Sequence, residues 1–472
     1  MKLILGETKP FVIDTAVLGA SARGGEVVRV CGVTTDSRKV KPGDLFVALR
    51  GGRFDGNDYT AAALEAGAAA VLCERAPEDT RGNIILVDDT LRALGRLANA
   101  YRRHVEPRHV VAVTGSVGKT TTKQLIYSIL SEKYNAHKTE GNLNNQIGLP
   151  LSVLDMQPCC EAAVFELGMS ARGEIAALSK IAEPDIAVIT TIGTSHIEHL
   201  GSRENIRDAK LEIREGLRPG GTLILNGDEP LLGGIYSAVY VSRADAGADY
   251  YYQVTSQDAG GVTFDVSYNG KTARGLYVPS PGDHIALDGA LAFAAGIAAG
   301  ADEDCIARGL AKYTPTGMRQ HIDEWNGIKI IADCYNASPE SMKASLAVLT
   351  ANAVLTANAA PDGGRAVAVL GDMLELGVQS PALHREVGEE AARLGVDLLF
   401  TFGEGALEIA AGAESAGMDS DCIYKISDTG DSAAAAAAAA LRNELKPGDT
   451  VLFKASRGTA IERVMYKLTI DI

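Results

Sequence analysis

An uninterrupted apolar run, Val110-Val111-Ala112-Val113, leads into Thr114-Gly115-Ser116-Val117-Gly118-Lys119-Thr120-Thr121, and a helix-forming stretch follows through Leu130. Few local patterns restrict a fold as tightly. A short continuous apolar run reads as a strand covered on both faces, which calls for a parallel sheet flanked by helices. Glycines in the turn let successive backbone N–H groups converge, and the helix that starts there adds the partial positive charge of its N-terminus. Such a turn holds phosphate: Gly115, Ser116, Val117, Gly118, Lys119, Thr120 and Thr121 would cradle it, Lys119 reaching the outer phosphates and Thr120 a magnesium ion. The spacing is G-x-x-G-K-T, two residues shorter than the usual G-x-x-x-x-G-K-[ST]. A glycine turn without a ligand is the plain alternative, and it leaves the ordered strand, loop, Lys-Thr pair and helix unexplained.

Similar apolar runs recur at Ala162–Phe165, Ile186–Thr190 and Thr222–Leu225 with helical stretches between them, the rhythm of a doubly wound α/β sheet. Residues 250–278, with Gly260-Gly261 and Asn269-Gly270 between β-rich runs, read as hairpins at the sheet edge. Earlier in the chain, irregular apolar stretches precede strands at Asp44–Leu49, Val71–Glu74 and Ile84–Val87 and a helix at Tyr59–Gly67. Later, Ile328–Ala332, Ala366–Leu370, Leu398–Phe402 and Val451–Phe453 repeat the α/β alternation. The alanine run 433–440 reads as a helix that Asp431 or Ser432 caps. With His104–Arg108 as a proline-containing linker and Tyr313–Gly317 as a hinge, the expected architecture is α/β in three domains. A small N-terminal α/β domain covers 1–108, a central P-loop doubly wound domain 109–314, and a C-terminal Rossmann-like domain 315–472.

Composition removes several function classes. At 472 residues the chain exceeds a single core, and with 46% apolar and 22% charged residues it is globular. A formal charge of −15 gives no long-range attraction to nucleic acid, so no nucleic-acid partner is expected. The first ten residues lack a signal-peptide core, and no stretch of about 18 uncharged apolar residues marks a membrane span. Seven cysteines without a CxxC pair fit neither a zinc site nor a disulfide framework. The expectation is a cytoplasmic, reduced protein.

Two more residues belong at the same rim on sequence grounds. Glu166 ends its strand, and in a doubly wound sheet the strand ends open on the ligand crevice, so its carboxylate can face magnesium. His196 follows the end of the next strand. Lys210, in the charged stretch Asp208–Ile213, reads by itself as a solvated helix lysine.

From end to end the chain resembles the Mur ligases. The resemblance rests on 35–49 (Thr-Asp-Ser-Arg-Lys onward), on Thr114–Thr121, and on Gly141–Pro150. It continues through Glu166–Met169 with Gly173–Ile175, His196, and Ala209-Lys210. Asp333–Met342 and Leu370–Gly377 are similar to the D-alanyl-D-alanine-adding branch, and the Asp-Asn-Pro-Arg motif of diaminopimelate-adding relatives is absent. The resemblance implies ATP-dependent ligation of D-alanyl-D-alanine to a UDP-linked muramoyl tripeptide through an acyl phosphate, by a monomer, with two magnesium ions. It implies Lys119, His196 and a carbamylated Lys210 as catalytic groups, and Thr120, Glu166, His196 and Lys210 as metal ligands. It further implies Asn145, Arg319, Asp333, Tyr335 and Asn336 on the nucleotide or dipeptide, Ser37 and Arg38 on the uridine diphosphate, and Lys454, Ser456 and Arg457 facing substrate. One departure is visible: where the family shows His-Asn-x-x-Asn, this chain has His284-Ile285-Ala286-Leu287-Asp288, which removes amides expected near adenine. A P-loop small-molecule kinase, a sibling ligase using another amine, and a non-enzymatic nucleotide sensor are the competing readings.

Overall fold

The computed structural model describes residues 1–6, 10–52, 54–76, 80–357 and 364–470. Its central sheet has nine strands, in the order Ala136–Lys138, Ala162–Glu166, His109–Thr114, Ile186–Ile189, Thr222–Asn226, Ala238–Ser242, Tyr250–Gln257, Val262–Tyr268 and Lys271–Val278. The strands that follow His109–Thr114 in the chain lie on both sides of it. It is therefore the switch strand, whose carboxyl end is where sheets of this kind take their ligands. The last three strands form the antiparallel edge meander read from the glycine turns.

By contact the chain divides into two compact units, Met1–Thr114 with Lys133–Val188 and Glu212–Leu223, and Gly115–Glu132 with Ile189–Leu211 and Ile224–Ile472. In the first, the opening residues are not irregular. Lys2–Leu5, Phe11–Asp14 and Val27–Val30 form a three-stranded sheet, each alternating buried with exposed or half-buried residues over four positions, a signal too short to rise above loop in the sequence. A five-stranded sheet follows, with Phe46, Ala63, Val71 and Ile84 in its core. Helix Thr90–Val105 starts at the Asp89 cap, takes in the first two residues of the expected linker, His104 and Val105, and stops where Glu106 adopts φ 54°. Arg102 on this helix is fully buried because Nε and Nη2 donate to the carbonyls of Ala182 and Glu183 at 2.8 and 2.7 Å, the open end of helix Glu174–Ala182.

In the second unit, helix Lys119–Ser131 packs against helix Asp283–Ala298. A six-stranded sheet follows, ordered His321–Trp325, Ile328–Ala332, Thr450–Lys454, Ala366–Gly371, Leu398–Phe402, Ile423–Ile426, antiparallel only in its first pair. Phe400, Phe402, Phe453, Ala437 and Leu441 fill its core. The alanine run is a helix, Asp431–Glu444, but its cap is Gly430 without a side-chain bond. Asp431 is already helical and receives a 3.0 Å bond from Lys467. Among the described residues no helix is long and apolar enough to cross a membrane.

Candidate active site

The phosphate turn is held from one side by Thr190 and Thr191. Ser116 N–H donates to the Thr191 carbonyl at 2.8 Å and Val117 N–H to Thr191 Oγ1 at 3.0 Å, while the Thr190 hydroxyl donates to the Val117 carbonyl. Gly115 takes φ 151°, and a Cβ there would lie 1.9 Å from Thr190 Oγ1, so only glycine fits. Gly118, at φ 87°, forms the N-cap of the helix. Ser116 Oγ is buried with no partner. An orphaned hydroxyl at a helix N-terminus is a ready donor for an anionic oxygen.

Two lysines converge on one carbonyl. Lys119 Nζ donates to Gly115 O at 2.9 Å and Ser116 O at 3.1 Å, and Lys210 Nζ to Gly115 O at 2.9 Å. Lys210 is 2% exposed, which replaces the solvated lysine read from its own helix. Helix Arg203–Leu211 carries charge on most faces, and only the tertiary fold shows which one turns inward. Burial, and then the charge of Lys119, push the Lys210 amine well below its ordinary range.

His196 reaches the same region from a left-handed residue, φ 65°, at the N-cap of helix Ile197–Leu200. Burial holds its imidazole below the usual range; Glu375 pulls the other way, and Lys119 and Lys210 add to the lowering. Its Nδ1 lies 2.5 Å from Glu375 Oε2, the carboxylate that pulls the imidazole toward protonation. Glu375 is itself left-handed at φ 63°, and its carbonyl accepts from Glu198 N–H. Glu340 binds the same loop, accepting from Thr194 N–H at 2.8 Å and Thr194 Oγ1 at 3.1 Å. Neither glutamate was legible as a site residue, since each lies more than a hundred residues from the loop it holds.

Glu166 is buried in register with Val113, two residues ahead of Gly115 in the chain. Asn144 Nδ2 donates to Glu166 Oε1 at 2.8 Å. The neighbouring Asn145 instead caps its own helix, Oδ1 accepting from Ile147 and Gly148 N–H at 3.1 and 2.8 Å. Among the described residues no group of three or more His, Cys, Asp or Glu forms a cation cage.

Three family profiles tile the sequence: Mur ligase family, catalytic domain, over residues 29–102; Mur ligase middle domain over 113–296; and Mur ligase, glutamate ligase domain, over 319–457. A Bacillus subtilis (strain 168) protein named UDP-N-acetylmuramoyl-tripeptide--D-alanyl-D-alanine ligase is 43% identical over 441 residues, spanning 93% of each chain. This chain belongs to the Mur ligase family. The Escherichia coli (strain K12) protein of the same name is 34% identical over 470 residues, 96% of this chain and 97% of that one. Among solved structures, MurF from Acinetobacter baumannii superposes with a TM-score of 0.83 at 30% identity, covering 93% of each chain. MurF ligase from Thermotoga maritima in complex with ADP gives 0.80 at 31% identity, covering 93% of this chain and 97% of that one.

The remaining residues expected of a Mur ligase lie at two other places. At the carboxyl ends of the six-stranded sheet, Lys454 is 2% exposed and donates to Asp333 Oδ2 at 2.5 Å and to the Asn336 carbonyl at 3.2 Å. It faces an internal carboxylate, not an open surface. Burial raises the Asp333 carboxyl, but Lys454 and the Ser345 hydroxyl outweigh it and hold the acid below its usual range. The Arg319 guanidinium stacks 3.6 Å from the Tyr335 ring centroid. Ser456 accepts from Leu374 N–H at 2.9 Å, and Arg457 is exposed within 3.9 Å of Glu462. In the N-terminal region, Ser37 and Arg38 form a short 3₁₀ turn capped by Asp36, to which Arg38 pairs at 2.8 Å.

Proposed function

We infer that this Mur ligase uses ATP to join D-alanyl-D-alanine to a UDP-N-acetylmuramoyl tripeptide, a step in peptidoglycan precursor synthesis. One observation carries the chemistry: Lys119 and the buried Lys210 meet on the Gly115 carbonyl of a phosphate turn whose Ser116 hydroxyl has no partner. The named relatives, matched over 93% and 96% of this chain, carry the choice of substrates.

In the first step a peptide carboxylate oxygen attacks the γ-phosphorus of ATP, and the bond to the ADP oxygen breaks to leave an acyl phosphate. The dipeptide amine then attacks the acyl carbon, loses a proton, and phosphate departs with the former carboxylate oxygen. Lys119 would leave its loop carbonyls to hold the β- and γ-oxygens; with the Ser116 and Val117 N–H groups on Thr191, the Ser116 hydroxyl is the donor the turn offers to phosphate. Two magnesium ions, when bound, supply the charge neutralisation that lets a carboxylate approach a triphosphate. Of the residues that would hold them, the Thr120 hydroxyl and the Glu166 carboxylate are hard oxygen donors, and His196 and a modified Lys210 are the other two ligands we assign. A protonated lysine cannot ligate a cation. Burial, then Lys119, push the Lys210 amine toward its uncharged form; that form adds carbon dioxide with loss of a proton, and the carbamate would be an anionic oxygen donor.

Asn145, Arg319 and Asp333 serve the nucleotide, Tyr335 and Asn336 the nucleotide or the incoming dipeptide, Ser37 and Arg38 the uridine diphosphate, and Ser456 and Arg457 the substrate, with Lys454 acting through Asp333. The division at 1–108, 109–314 and 315–472, with closure about Tyr313–Gly317, would exclude water from the acyl phosphate. The enzyme would work as a cytoplasmic monomer. ADP release measured with the UDP-linked tripeptide, with and without D-alanyl-D-alanine, tests this reading. Sustained release should require both. Sustained release with a stable phosphorylated product and no amine would make it a kinase, and turnover with a single amino acid in place of the dipeptide would make it a sibling ligase.

A further inference from the structure

Helix Asp283–Ala298 presents a lone acid to the phosphate turn. Asp288 is 3% exposed. Thr122, in the first turn of the loop's helix, donates its hydroxyl to Asp288 Oδ1 at 2.9 Å. A Cβ built on Gly118 would lie 2.5 Å from the same oxygen, so the carboxyl rests against the turn's own backbone.

The groups around it offer no countercharge. Lys119 and Lys123 are the cations at the start of the loop's helix, and neither forms an ion pair with Asp288; Lys119 is taken up by the Gly115 and Ser116 carbonyls. On its own helix, Asp283 pairs with Arg243 at 2.6 Å, and His284 contacts Gln320 at 3.0 Å. Tyr252 from strand Tyr250–Gln257 and Tyr313 after helix Glu303–Ala311 face it as neutral phenols, both raised chiefly by burial, Tyr313 to about 12. A buried carboxylate with one hydroxyl donor and no cation is unfavourable, and the proton is retained instead. Burial pushes the Asp288 acid up to about 8, against the Thr122 bond that lowers it.

We propose that Asp288 is a positioning residue for the phosphate turn that works as an uncharged carboxylic acid, bracing Gly118 and Thr122, and that its ionisation weakens nucleotide binding. An acid in this state has the shape and hydrogen-bonding capacity of an amide. An anion in the same place repels the triphosphate and pulls on the turn. The inference rests on the nucleotide reading given above.

The test is calorimetric binding of ADP with magnesium chloride to the full-length chain from pH 6.5 to 9.5. The parent is compared with Asp288→Asn, Asp288→Leu and Thr122→Val. Parent affinity should fall about tenfold per pH unit once past the ionisation. Asp288→Asn should remove that decline and Asp288→Leu should weaken binding at every pH, so that only the amide rescues. Thr122→Val, which deletes the bond that favours the anion, should move the decline to higher pH. A flat parent profile, an Asn variant with the parent's slope, or an unmoved decline in Thr122→Val would overturn the proposal. Absence of ADP binding at every pH would condemn the nucleotide reading instead.

Discussion

Two lysines in this molecule are equally buried and chemically opposite. Lys210 and Lys454 are each 2% exposed. Lys454 sits on Asp333, which also takes the Ser345 hydroxyl, so charge meets charge and the group is satisfied. Lys210 meets a backbone carbonyl and a second cation, Lys119, and is driven toward the neutral amine. The first arrangement is complete as it stands; the second is complete only when anions arrive or the amine becomes one. Burial alone therefore does not mark a functional lysine. What separates the two is whether the fold supplies the partner.

That contrast can be broken by substitution. Lys119→Ala and Lys210→Ala should each lower turnover by about 10³-fold or more while unfolding like the parent, since a preorganised charge at the reacting phosphate is lost. Short carboxylic acids should partly restore Lys210→Ala, and near-parental turnover in either variant would refute its assigned role. Lys454→Met should instead cost about 3–5 kcal/mol in urea unfolding, because Asp333 is left buried and unpaired, whereas Lys210→Met should be neutral or mildly stabilising. Equal losses in the two methionine variants would erase the distinction. Glu375→Gln should reduce kcat several-fold with little change in stability, because it loosens His196 without leaving a buried charge; an unchanged kcat would leave that contact without a role.

The smallest effect is a pH dependence. Asp333 is depressed in the fold, so its ion pair stabilises the protein above the unfolded carboxylate range and loses that contribution as pH falls through the lower folded value. The difference in unfolding free energy between the parent and Asp333→Asn should be full near pH 7 and shrink on acidification. A difference that grows on acidification would reverse the assignment.

The phosphate turn was legible because everything that specifies it is local: the apolar strand, two glycines and Lys119-Thr120. Glu166 was legible for the same reason, as the polar end of an apolar run. Lys210 was reached only through the family resemblance, because its helix mixes acid and base and nothing within it shows which face turns inward. Glu340 and Glu375 were beyond reach, since they meet residues 194–198 only through the fold. Asp288 was noticed as a departure from an expected asparagine, yet its neighbour proved to be Thr122 on the loop's helix. The exact helix end was less legible: the linker read as His104–Arg108 gives its first two residues to helix Thr90–Val105 and is non-helical from Glu106.

The central claim is that the turn at Gly115–Thr120 serves to activate a carboxylate as an acyl phosphate. The most direct measurement uses a UDP-linked tripeptide labelled with oxygen-18 in its terminal carboxylate, incubated with ATP and D-alanyl-D-alanine. Mass analysis of the inorganic phosphate should find one labelled oxygen per amide bond formed. Phosphate free of label, alongside amide formation, would contradict the account.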